Sequence, residues 1–152
     1  MATKLFQWEA EQTGLRVCGD AVRLRTEERI QLVDVTEIVA ERVRRSGVGH
    51  GIASVQTQDT TTAIVVNENE PLLVGNLRRL LWSRRDPGMS PTERPNGDAH
   101  CRAAILGASV SLNVMDGRLL LGDGQRVFLV ELDGPRPRTV SLVVMGTSRE
   151  QA

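Results

Sequence analysis

The sequence predicts an α+β domain in which a mainly antiparallel sheet packs with at least two helices. Three observations carry that expectation. Short apolar runs in the second half are separated by tight-turn signals, at Asp116-Gly117, Gly122-Asp123-Gly124 and Asp133-Gly134-Pro135. Two segments, near 35–46 and 71–81, instead space their apolar residues with a helical period. The repeated hairpins leave little chain for the crossover connections that a parallel nucleotide-binding sheet requires.

With 152 residues the chain is long enough for one hydrophobic core, and nothing demands a metal or disulfides merely to fold. Residues 1–147 are expected to form a single domain, with 148–152 as a C-terminal tail. Nineteen basic residues balance nineteen acidic ones, which argues against a general attraction to nucleic acid or to an anionic membrane. Cys18 and Cys101 lack ligand-like spacing and read as free thiols. No apolar run approaches spanning length and no signal-peptide pattern opens the chain, so a soluble, cytoplasmic protein is expected.

Taken in order, Lys4 to Ala10 suits a strand. Between Leu15 and Val33 the alternation breaks at Gly19-Asp20, which predicts two short strands around a turn. Asp34, with Glu37 three residues on, offers a capping pattern for a helix over about 35–46, whose apolar positions include Ile38, Val39 and Val43. Gly47 and Gly51 bracket its exit. A strand over 51–58 follows, with Ala53, Val55 and Thr57 on one face and Ile52, Ser54, Gln56 and Gln58 on the other. The chain is extended again from Ala63 to Asn67. Pro71 then suits the first turn of a helix to about Leu81, with Leu72, Leu73, Leu77, Leu80 and Leu81 as its stripe. From Trp82 to Asp98, three prolines and no period predict a long loop that carries a candidate anion patch at Arg84 and Arg85. A short helix over 99–106 ends at Gly107, and strands are expected at 109–114, 118–121, 127–132 and 139–145.

Three polar groups stand out. Asp59-Thr60-Thr61-Thr62 and Asn67-Glu68-Asn69-Glu70 flank one strand. Glu68 suits acid–base work or a hard cation, and the amides suit orienting a polar ligand, while Asn69 or Glu70 equally suits capping the next helix. His100, one of two histidines, follows the long loop, and an imidazole there serves acid–base chemistry, metal ligation or structural hydrogen bonding. In Glu131-Leu132-Asp133-Gly134-Pro135-Arg136-Pro137-Arg138, the acids and arginines either fix a corner by ion pairing or present Arg136 and Arg138 to a phosphate or carboxylate.

Thr60-Thr61, Asn67-Glu68-Asn69, Asn96-Gly97, His100, Gly107, Gly117-Arg118-Leu119, Leu121-Gly122, Gln125 and Asp133-Gly134-Pro135-Arg136, in that order, resemble the YjbQ-like family, also called the secondary thiamine-phosphate synthase family. The resemblance covers most of the chain and implies a compact β-sandwich-like α+β domain with mainly antiparallel strands and two or three helices. It further implies a homotrimer with sites near subunit boundaries. The activity it implies joins an aminopyrimidine diphosphate to a thiazole phosphate and releases pyrophosphate.

On that resemblance Glu68, His100 and Arg136 are the candidate catalytic residues, and Thr60, Thr61, Asn67, Asn69 and Arg138 would hold a phosphorylated small molecule. Several family features are altered here. Asp59 stands where the family usually has histidine before its threonines, and Asp98 where an Asn-Gly-His-x-His pattern usually has its first histidine. No histidine occurs between Trp82 and Glu93, and Gly124 replaces a usual tryptophan. Carboxylates in place of imidazoles favour harder cations, so Asp59, Asp98 and His100 become a candidate site for a divalent cation such as magnesium. These changes imply altered or lost activity. An inactive homologue serving ligand binding or oligomeric assembly is the alternative, and neither nucleic acid nor membrane is an expected partner.

Overall fold

A computed structural model describes residues 3–12, 14–82 and 95–149, with only the backbone described for 4–12. The segment expected to be a loop after Trp82, including Arg84 and Arg85, lies mostly outside the described residues. Among the described residues nine strands and three helices follow in the order β1 (Thr3–Gln12), β2 (Leu15–Arg25), β3 (Gln31–Asp34), α1 (Thr36–Ser46), β4 (Val48–Thr57), β5 (Thr62–Glu68), α2 (Pro71–Trp82), α3 (Gly97–Leu106), β6 (Ser109–Met115), β7 (Arg118–Leu119), β8 (Gln125–Glu131) and β9 (Pro137–Ser148). Six strands form one sheet in the order β1-β2-β9-β4-β6-β7, and three form another in the order β3-β8-β5. Every pairing among the described residues is antiparallel. Among the described residues no helix is long and apolar enough to cross a membrane.

The core lies between the two sheets. Val22, Val55, Leu112 and Leu142 of the larger sheet share one buried cluster with Ile64, Val127 and Leu129 of the smaller one. The alternation predicted for β4 holds, with Ala53, Val55 and Thr57 buried and Ile52, Ser54 and Gln56 exposed. Helix α1 closes the same core through Val39 and Val43, with Val35 just before it, at the i, i+4 spacing that puts them on one face. Gly47 ends it in the left-handed conformation that costs a glycine least. A smaller cluster seats α3 on the far face of the smaller sheet, where Ala99 and Ala103 meet Ala63, Val130 and Leu132.

Several expectations change. Residues 15–25 form one strand rather than two, because β2 pairs along its length with β1 and β9, and Asp20 is neutralised by Arg42 of α1 at 2.8 Å. Strand β3 carries only four residues and little pattern of its own; its pairing with β8, about a hundred residues on, defines it. The position before α1 is Val35, while Asp34 accepts the Thr36 N–H at 2.9 Å and Glu37 turns to Arg126. In α2 no residue is fully buried: Leu73, Leu77 and Leu81 are half-buried, whereas Leu72 and Leu80 are 76% and 71% exposed. At the C-terminal end, β9 continues to Ser148, which pairs with Val48, and the Arg149 N–H donates to the Gly47 carbonyl at 2.8 Å.

Candidate functional site

The turn between β4 and β5 is fixed by its own threonines. Thr57 and Thr62 share a buried hydroxyl–hydroxyl hydrogen bond, and the Thr57 hydroxyl accepts the Asp59 N–H at 3.3 Å. Asp59 is then held from the other side, accepting the Thr139 N–H at 3.1 Å and lying 3.5 Å from Arg138. Beside this turn an open cleft of about 510 Å3 runs to α3. Gln56, Gln58, Asp59 and Thr60 form one wall, and His100, Ala103 and Ala104 the other. The small side chains of α3 make that second wall low and mostly apolar.

Behind Asp59 lies a buried ion pair. Glu131, fully buried, takes the Arg138 guanidinium through Nε at 2.7 Å and Nη2 at 2.6 Å. It also accepts the Thr26 hydroxyl and the Leu132 and Asp133 N–H groups, while Arg138 donates to the Thr61 hydroxyl at 2.9 Å. Burial pushes the Glu131 carboxyl up, but Arg138, the Asp133 N–H and Thr26 outweigh it and hold the group below the ordinary range. Burial likewise works against the Arg138 charge, and Glu131 and Asp59 more than restore it. Thr61 and Arg138, expected to hold a ligand, are thus partners in an internal network.

Arg136 pairs with Asp133 at 2.7 Å, and Asp133 also accepts from Asn96 at 2.8 Å, which ties the turn after β8 to the start of α3. Asp98 pairs with Arg102 one turn along α3 at 2.9 Å. Asp59, Asp98 and His100 are therefore not gathered as a metal site: among the described residues no three His, Cys, Asp or Glu side chains come together to hold an ion. Cys101 and Cys18 are free and half-buried.

Asn67, Glu68 and Asn69 occupy the opposite end of β5. Six residue steps separate Thr62 from Glu68, roughly 20 Å at about 3.3 Å per residue. Glu68 is exposed, the Asn67 side chain accepts the Glu68 N–H at 2.8 Å, and Asn69 donates to Asp34 at 3.1 Å. Burial pushes the Asp34 carboxyl up, and hydrogen bonds from Thr36 and Arg126 bring it below its ordinary value. Glu70 caps α2, accepting the Leu72 and Leu73 N–H groups at 2.9 and 2.7 Å. Gly124 lies beside Glu68, so the missing aromatic belongs to this rim and not to the cleft. Within one chain, Glu68 does not meet His100. Gln56 and Gln58 escape a reading of the sequence for site residues, although an exposed strand face of amides running into Asp59 is the signal that marks them.

A family model described as UPF0047 protein YjbQ-like matches residues 20–147. The chain belongs to this family. Its YjbQ-like relatives include a UPF0047 protein of Methanothermobacter thermautotrophicus, 36% identical over 140 residues, which span 87% of this chain and 94% of the relative. The UPF0047 protein YugU of Bacillus subtilis is 31% identical over 131 residues, 82% of this chain and 97% of its own. A crystal structure of a YbjQ-like protein of unknown function from Sulfolobus solfataricus superposes with a TM-score of 0.82 at 34% identity, covering 87% of this chain and 99% of that one. The mainly antiparallel α+β architecture of this chain is thus that of the YjbQ-like fold.

Proposed function

We propose that this protein binds a small molecule in the cleft between the β4–β5 turn and α3, and that condensation of the thiamine precursors is lost or strongly weakened in it. The commitment of Arg138 to the buried Glu131 carries this reading, and the half-exposed Arg136 pairs with Asp133 at the surface. A diphosphate leaving group needs donors free to neutralise developing charge, and both candidate arginines already face carboxylates. The test is a condensation assay with the aminopyrimidine diphosphate and thiazole phosphate. The expected rate does not differ between the unmodified chain and His100→Ala or Glu68→Gln. A robust rate that falls in either variant refutes the reading.

We also propose a homotrimer, the assembly implied by the family resemblance. The exposure of Leu72, Leu80 and Trp82 along α2 supports an assembled state, since large apolar side chains grouped on one element mark contact surfaces. Light scattering coupled to size exclusion measures the mass directly; a monomer at micromolar concentration refutes it.

A further inference from the structure

We infer that the cleft selects organic cations, an ammonium or amidinium group carried on a compact apolar body. This rests on the reading of the cleft as a small-molecule site and names its ligand class. Asp59 is the carboxylate in the cleft wall, and no lysine or arginine is among the described residues lining it. Behind the wall, Asp59 and Glu131 both face Arg138, so two negative groups meet one positive and the trio carries a net charge of −1. The neighbouring pairs Asp98–Arg102 and Asp133–Arg136 each sum to zero. Among the described residues each Asp59 oxygen has a single partner, the Thr139 N–H on Oδ2 and Arg138 on Oδ1, which leaves lone pairs for a donor from the cleft. Ala103 and Ala104 supply an apolar surface opposite, suited to a ring or short hydrocarbon.

The test compares three ligands of one shape and different charge, benzamidine, benzamide and benzoate, with pyrophosphate as a fourth, by calorimetry on the full chain. Benzamidine should bind about tenfold or more tighter than benzamide, the ratio that one charge-assisted hydrogen bond supplies. Asp59→Asn, whose amide oxygen still accepts the Thr139 N–H, should erase that preference. Ala104→Trp, at an exposed helix position, should block binding whatever the charge. If benzoate or pyrophosphate binds more tightly and Ala104→Trp abolishes it, the charge assignment is overturned while the cleft remains a small-molecule site. If none of the four binds, or Ala104→Trp changes nothing, both the assignment and the binding reading fall.

Discussion

Replacing Arg138 with methionine removes the guanidinium from a carboxylate that has no route to water. Glu131 is fully buried and loses two of its five hydrogen bonds, those from Nε and Nη2, while Thr61 loses one. Breaking a buried pair by removing one partner costs about 3–5 kcal/mol, because the remaining charge is left uncompensated. For a chain of this length that corresponds to a fall in Tm of about 10 °C, at roughly 2–4 °C per kcal/mol. Urea unfolding followed by circular dichroism, at one fixed protein concentration because association adds to stability, measures it. The double variant Glu131→Leu with Arg138→Met should recover a large part of the loss, since two apolar groups leave no orphaned charge. A loss below about 1 kcal/mol in the single variant, or a double variant no more stable than it, refutes the reasoning.

Glu70→Ala should cost α2 about 0.5–2 kcal/mol, visible as faster hydrogen exchange at the Leu72 and Leu73 amides with little change elsewhere. Gly51→Ala should prevent accumulation of folded protein, because a methyl group there collides with the Met145 carbonyl across the β4–β9 pair; a soluble variant with unchanged Tm counts against this. Acidification should destabilise the fold. Glu131 and Asp34 have folded-state values below their ordinary ones, so their contribution is present above about pH 4.5 and is lost as pH falls through the lowered values. Urea midpoints measured between about pH 7 and pH 3 should fall at the acid end, and less steeply in Glu131→Gln.

Local patterns made much of this fold legible. The Asp116-Gly117 turn adopts positive φ at both residues, as its sequence predicts, and the β4 alternation sorted buried from exposed side chains correctly. Where long-range pairing decides, local signals failed: Gly19-Asp20 looks like a turn until β1 and β9 flank it and Arg42 meets the aspartate. The candidate site followed the same division. Spacing allows Glu70 as a cap and Glu131–Arg138 as an ion pair beside ligand-binding alternatives, and the structure contains both the cap and the pair. Spacing offers no means of seeing that Glu68 and His100 stand at opposite ends of one strand's reach, since that depends on how α3 folds back over the sheet.

Strand β9 lies between β2 and β4 in the middle of the larger sheet, although it is the last strand among the described residues. During synthesis, β2 and β4 must therefore wait with facing edges unpaired until residues 137–148 leave the ribosome. The first β2–β9 contact, Arg25 with Pro137, already closes a loop of more than a hundred residues. An exposed pair of strand edges is a target for chaperones and for mispairing between nascent chains, so the yield of this protein should depend on translation speed between β4 and β9.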